Sequence, residues 1–301
     1  MEKRSILHML DPMPNNSPFD INMAVDAGFD VLMPYSNVKL DSVHGLTQDA
    51  IFSRGPAGVK RTAMFIGGRD LALAMDMLNA SQHAMVPPFE ISVFADPSGA
   101  FTTAAALVAC VEKELKTKHG KELKDCQALV FGGTGPVGIA TGVIASIAGA
   151  KTALVDHLSI DTAEEVAKAY SRRFGCNLFG AVAHNDAEKS ALIADKDIVF
   201  CTAKAGIQVL NAAVLNAATQ LKVAGDVNAV PPLGIEGIKR NDFGAPLVHA
   251  GNALGAVGVG ALAVGNIKYQ LQNEMLKLLL ETDKPLFLDF RAAFEKAREI
   301  V

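Results

Sequence analysis

The sequence predicts an α/β chain of two domains, each organised on a parallel sheet. Short apolar runs alternate with helix-length segments along the chain, the pattern of strands joined by helical crossovers. The alternation falls into two blocks separated by the polar stretch KTKHGKELKDCQ, where a domain boundary is expected. A chain of 301 residues with 50% hydrophobic side chains supplies core enough for two domains of ordinary size.

In the first block the expected strands are residues 5–10 (SILHML), 30–35 (DVLMPY), 62–66 (TAMFI) and 90–95 (EISVFA). Between the first two, SPFDINMAVDAG reads as a helix with Ser17 as N-cap, Pro18 at the first helical position, Asp20 completing a capping box and Gly28 closing it. FIGGRD reads as a tight turn into the helix of LALAMDMLNASQ, with Asp70 near its positive end. The fourth strand stops at Asp96-Pro97-Ser98-Gly99, and an alanine-rich helix follows from near Thr102 to about Lys118. Two readings of this junction are open. Asp-Pro, Ser-Gly and a threonine are turn and cap chemistry, and the carboxyl end of a strand is also where open α/β sheets place ligands.

In the second block the expected strands are residues 128–131, 152–155, 178–182, 197–201 and 221–226. The first runs straight into Gly133-Thr134-Gly135-Pro136-Val137-Gly138 and a helix of small residues. A G-x-G-x-x-G between a strand and a helix is the dinucleotide fingerprint in its required context, which makes this a Rossmann-type domain. Gly133 permits the tight turn, Gly135 lets the backbone approach a pyrophosphate and Gly138 lets the helix pack on the sheet. Asp156 ends the next strand 23 positions after Gly133, near the spacing of a ribose-binding carboxylate. A carboxylate there repels a 2′-phosphate and favours NAD, and VDHLSID holds no arginine, yet use of both NAD and NADP stays open. FCTAKAG and VAGDVNAVPPLGIEG place Thr202, Ala203, Asp226 and Asn228 at the same carboxyl edge, as cofactor ligands or, for Asp226 and Asn228, as an Asx-turn holding the loop. A long helix is expected from Gly265 or Asn266, with the terminal DFRAAFEKAREI returning to the first domain. The expected division is residues 1–118, 119–268 and 269–301.

Charge excludes some functions. Against 28 Lys and Arg stand 32 Asp and Glu, a net charge of −4, with no basic face for nucleic acid or an anionic membrane. The apolar run in MEKRSILHMLDPMP is too short for a signal peptide, and no segment reaches the roughly 18 apolar residues of a membrane span, so the cytoplasm is expected. Cys110, Cys126, Cys176 and Cys201 show no C-x-x-C spacing, and the seven histidines form no H-E-x-x-H, so no metal is expected.

The segments RSILHMLDP, SPFDINMAVDAGF, LTQDAIFSR, VPPFEISVFADPSGAFTTAAA, DVNAVPPLGI, GVGALAVGNIKYQ and PLFLDFRAAF together span essentially the whole chain. On them the sequence closely resembles the methylene-tetrahydromethanopterin dehydrogenases of aerobic methylotrophic bacteria, in particular the form accepting NAD and NADP. The resemblance implies a substrate cleft between the two domains, a homo-oligomer, as a trimer, and direct hydride transfer from methylene-tetrahydromethanopterin to NAD(P)+ in formaldehyde oxidation. The related NADP-specific enzymes carry an arginine after the second Rossmann strand that this chain lacks, although its loop GGTGPVG is closer to theirs.

Loss of hydride from a carbon between two nitrogens leaves a delocalised cation, and no proton leaves that carbon. The step needs orientation and a field tolerant of positive charge rather than a general base. Asp96 could bind the pterin's amino-pyrimidine edge or favour the cation, with Thr102 and Thr103 on polar ring atoms. Lys268, where related dehydrogenases also carry a lysine, is expected to hydrogen-bond the pterin carbonyl or position it. Asp20 is a weaker candidate, already explained by capping, and Asp11, His8 and Arg54 are polar residues at possible cleft edges. The competing functions are a methylene-tetrahydrofolate dehydrogenase and a non-catalytic NAD(P)-sensing protein.

Overall fold

The structure is a computed structural model that describes residues 3–251, 255–282 and 284–301. It divides into two compact units, residues 1–102 with 269–296 and residues 103–268 with 297–301.

The first unit opens with β1 (Ile6–Leu10), α1 (Pro18–Asp26), β2 (Val31–Tyr35), α2 (Leu40–Phe52), α3 (Gly55–Val59), β3 (Thr62–Ile66), α4 (Leu71–His83) and β4 (Ser92–Ala95). Local chemistry sets the helix ends. The Ser17 hydroxyl accepts the Asp20 N–H at 3.5 Å with Pro18 in the first turn, and Asp70 caps α4 by accepting the Leu73 N–H at 3.0 Å. Helix α5 (Ala100–His119) carries the chain into the second unit, and residues 104–111 are buried on every side.

The second unit runs β5 (Gln127–Phe131), α6 (Pro136–Ile147), β6 (Lys151–Asp156), α7 (Ile160–Phe174), β7 (Leu178–Val182), α8 (Asp186–Ile193), β8 (Ile198–Cys201), α9 (Ala212–Leu215), β9 (Val223–Asp226), β10 (Phe243–Pro246) and β11 (Val257–Val259). Helix α10 (Ala261–Glu281) starts four residues before the expected Gly265. The glycines that made this stretch look like a loop serve close packing instead. A Cβ on Gly258 would lie 2.9 Å from Ile238, and one on Gly260 would strike the Lys239 carbonyl. The N–H groups of Gly260 and Leu262 bond Asp242 and Arg240 carbonyls at 2.8 and 2.7 Å, anchoring the helix start. The chain ends with β12 (Phe287–Leu288) and α11 (Phe290–Ile300).

The first sheet has the order β12-β4-β3-β1-β2, parallel throughout. Strand β2 takes the edge, where Pro34 removes a donor at little cost. The second sheet has the order β10-β11-β9-β8-β5-β6-β7, parallel except for the edge strand β10. Strands β10, β11 and β12 were not anticipated from the sequence. They are short, at four, three and two residues, and gain their pairing only from distant partners. Glu112 of α5 holds the chain's last turn through a two-pronged pair with Arg298, 2.7 and 2.9 Å. No helix among the described residues is long and apolar enough to cross a membrane.

Candidate functional site

Strand β5 lies between β6 and β8, with Phe131 in register with both Val155 and Cys201. The chain goes first to β6 and only later to β8, so the carboxyl end of β5 is a topological switch point, the place where α/β sheets bind ligands. The glycine loop sits there. Its left-handed turn is made at Gly132, φ 72°, one residue before the glycine assigned to it from the fingerprint. A Cβ on Gly132 would lie 2.7 Å from the Ala203 nitrogen, and one on Gly133 would lie 2.7 Å from the Val130 carbonyl oxygen and 2.8 Å from Leu154 Cα. Gly133 is therefore required by space and Gly132 by conformation and space. Gly138 packs beneath the loop, where a Cβ would collide with the Gly132 carbonyl. Gly135 is different. Its backbone (φ −83°, ψ 165°) suits any residue, and the nearest atom to a Cβ there is 3.5 Å away. Pro136 and Val137 then open the first turn of α6, where helix N–H groups lack intrahelical acceptors and the helix end attracts anions.

Asp156 ends β6 facing this loop. Oδ1 accepts the N–H groups of Leu158 (2.8 Å) and Ser159 (3.1 Å), and Oδ2 accepts the Thr134 hydroxyl at 2.8 Å. Burial pushes the carboxyl up, but these donors outweigh it and hold it below the usual carboxylate range. A cavity of about 530 Å³ extends from the loop, lined among others by Asp156, Leu158, His184, Lys189, Thr202 and Lys204. The volume is that of an ordinary small-molecule site. Thr202, at the end of β8, donates to the Phe131 carbonyl at 2.9 Å, and Ala203 follows it along the cavity wall.

Asp226 and Asn228 form a loop clamp. Asp226 is fully buried and accepts the N–H groups of Asn228 (2.9 Å) and Ile235 (3.0 Å), and burial raises its carboxyl pKa. Asn228 accepts from Gly206 and Val230 at 3.1 and 3.0 Å and donates to Pro232 at 2.9 Å. The Asx geometry open in the sequence is thus present, and through Gly206 it fixes the segment that closes one side of the cavity.

At the carboxyl edge of the first sheet, Asp96 is completely buried. Oδ1 accepts the Phe101 and Thr102 N–H groups at 3.0 and 3.1 Å, and Oδ2 accepts the buried Thr102 hydroxyl at 2.6 Å. The turn-and-cap chemistry at this junction is therefore real, and of the two threonines only Thr103 is partly exposed. Ser98 sits at φ 53° with its hydroxyl on the Gly68 carbonyl at 2.9 Å, a backbone region that non-glycine residues seldom occupy. Asp11 follows the end of β1, which β3 separates from β4. It accepts the Met13 N–H at 2.8 Å, and a Cβ on Gly67 would meet its Oδ2 at 2.7 Å. Burial raises its pKa. The Asp20 N–H donates to the Ser17 hydroxyl as the capping box requires, while its buried carboxylate accepts the Gln272 amide of α10 at 2.6 Å. Lys268 lies half-buried on α10. His8 stacks on Tyr35, Nδ1 3.2 Å from its hydroxyl. Arg54 is not at the carboxyl edge: its guanidinium bonds the carbonyls of Arg4 and Arg61 at 2.9 and 3.2 Å, at the amino ends of β1 and β3.

Sequence reasoning did not single out Gly132, His184, Lys189 and Lys204, which line the cavity. Asp11, expected as a polar residue at an edge, shares with Asp96 an Asp-Pro at a strand's carboxyl end. Among the described residues no group of three or more potential ligands could hold a metal ion.

Residues 18–98 match the family described as methylene-tetrahydromethanopterin dehydrogenase, N-terminal. Over 298 residues, 99% of this chain and 99% of the relative, the sequence is 47% identical to the NAD(P)-dependent methylenetetrahydromethanopterin dehydrogenase of Methylorubrum extorquens. It is 30% identical over 297 residues, again 99% of each chain, to the bifunctional protein MdtA of the same organism. Among solved structures, shikimate 5-dehydrogenase from Listeria monocytogenes superposes with a TM-score of 0.53 at 13% identity, covering 99% of this chain and 96% of that one. Ornithine carbamoyltransferase from Pyrococcus furiosus gives 0.52 at 13%, covering 94% and 87%. A dehydrogenase and a transferase at equal distance show the α/β fold alone. Full-length identity decides the matter that fold similarity leaves open: this chain belongs to the methylene-tetrahydromethanopterin dehydrogenase family.

Proposed function

We propose that this protein oxidises 5,10-methylene-tetrahydromethanopterin to the 5,10-methenyl compound by direct hydride transfer to NAD(P)+, in one-carbon oxidation. The observation that carries this is 47% identity across 99% of both chains, supported by a glycine loop whose geometry fits a dinucleotide. Gly135 is free of any packing demand for glycine and leaves room for a pyrophosphate, while Thr134, Pro136, Val137 and Gly138 form the turn that presents α6 to it. Asp156 receives the adenosine ribose, and Thr202 and Ala203 line the path toward the nicotinamide. Bound NAD(P)+ supplies the hydride acceptor, C4 of its ring.

The substrate's C–H bond breaks with its electron pair, and a neighbouring nitrogen's lone pair forms the new C=N bond, so the protein removes no proton from that carbon. Its task is to hold the two reactants in register. Asp96 with Thr102 acts by fixing the junction at the carboxyl edge of the first sheet. Asp11, Asp20, Thr103 and Lys268 supply polar contacts to the pterin, Lys268 through its carbonyl, away from the reacting carbon. Asp226 acts by holding the loop, and Asn228 by holding it at the substrate and cofactor. The enzyme works in the cytoplasm as a homo-oligomer, a trimer, which sedimentation equilibrium tests.

The decisive experiment is a spectrophotometric assay of purified protein with methylene-tetrahydromethanopterin and, separately, methylene-tetrahydrofolate, each with NAD+ and NADP+. Cofactor reduction with the methanopterin is the expected result. Reduction with the folate alone would replace the substrate, and silence with both while nucleotide binds would leave an NAD(P)-sensing protein.

A further inference from the structure

The acceptance of both NAD and NADP calls for a physical cause, because Asp156 stands where a carboxylate excludes a 2′-phosphate. The hydrogen bonds around it supply one. A carboxylate offers about four acceptor positions, and three are already used. Oδ1 takes two backbone N–H groups at 2.8 and 3.1 Å, so it has no position left for a ribose hydroxyl. Oδ2 takes the Thr134 hydroxyl at 2.8 Å and keeps one. Asp156 can therefore receive a single hydroxyl rather than grip both, and three donors disperse the charge that would repel a phosphate. The same cavity is lined by His157, His184, Lys189 and Lys204, so the muted carboxylate faces several donors. The two backbone bonds are built into the entry of α7. The Thr134 hydroxyl comes from a different segment, 22 residues earlier in the chain, and can be removed alone.

We infer that Thr134 is a selectivity-setting positioning residue: by donating to Asp156 Oδ2 it weakens that carboxylate's hold on the ribose and makes the site tolerant of a 2′-phosphate. This rests on reading the cavity as the nucleotide site. Deleting the hydroxyl frees the acceptor for NAD and exposes the charge to NADP, so selectivity moves toward NAD.

The test is calorimetric titration of the full-length protein with NAD+ and NADP+, without pterin, for wild type, Thr134→Val, Thr134→Ser and Thr134→Val combined with Asp156→Asn. Loss of contacts to the pyrophosphate lowers both affinities equally and leaves their ratio unmoved. The expected result is a shift of the Kd ratio toward NAD of about tenfold in Thr134→Val, the size of one hydrogen bond to a charged group. The ratio should stay near wild type in Thr134→Ser, and Thr134→Val should have no effect on it once Asp156 is Asn. An unchanged ratio in Thr134→Val, or the same shift without the carboxylate, overturns the inference while leaving the nucleotide site standing. Binding of neither nucleotide to wild type overturns both. Should Thr134→Val fail to fold, Thr134→Ala removes the same hydroxyl, and a shift toward NADP in it is equally fatal.

Discussion

Two glycines of the loop separate fold from function. At Gly138 an added Cβ would collide with the Gly132 carbonyl oxygen and lie 2.8 Å from both Gly133 Cα and Thr202 Oγ1. Two of these contacts are backbone, so α6 must move off the loop. Overpacking of that kind costs about 2 kcal/mol or more, a fall of roughly 4–8 °C in the melting temperature of the unit that carries it. At Gly135 the backbone is already in a region open to alanine, and the nearest atom to the new Cβ is 3.5 Å away. Alanine is a poorer N-cap but stiffens the unfolded chain, so Gly135→Ala should change stability by less than about 1 kcal/mol. If a pyrophosphate approaches this backbone, the same methyl group stands in its way and the affinity for NAD+ and NADP+ falls at least about tenfold. Thermal unfolding and calorimetric titration with each nucleotide on both variants give the six numbers required. A Gly135→Ala protein that folds and binds both nucleotides normally would refute the assignment of this loop to a dinucleotide.

Asp96→Ala removes the acceptor for two buried N–H groups and a buried hydroxyl, and should destabilise the first unit by about 2–4 kcal/mol in urea unfolding; a loss under about 0.5 kcal/mol would contradict the capping role. His8 lies below its ordinary value of 6.5, through burial first and then the nearby Arg54 charge. The unfolded chain therefore takes up the proton first, and stability is full above about pH 6.5 and declines as the pH falls through the window below it. His8→Asn should flatten that dependence in denaturant melts, and an unaltered slope would assign it to other groups. Burial pushes Cys110 up to about 12 and Cys126 to about 11, and raises buried Cys201 as well. Cys176, the partly exposed thiol, should react first with a thiol reagent in native protein, as peptide mapping would show.

What the sequence by itself determined is whatever depends on near neighbours in the chain. Period and caps located β1 to β9 within a residue or two, along with the Ser17 and Asp70 caps. The strand-loop-helix context located the nucleotide loop, and the full-length resemblance indicated the family that 47% identity now shows. Tertiary structure decided what depends on distant partners. β10, β11 and β12 are too short to carry a period, and they exist because distant strands present open edges to them. The start of α10 was hidden by glycines chosen for packing against residues about twenty positions away. At the sites, residue type announced a carboxylate at 96, 156 and 226, but only the folded chain shows where each one's oxygens are engaged. Asp96 is enclosed as a cap and Asp226 as a loop clamp. Asp156 lines a cavity and keeps one acceptor position on Oδ2, because two of its donors come from the entry of α7 and the third is the Thr134 hydroxyl of the glycine loop.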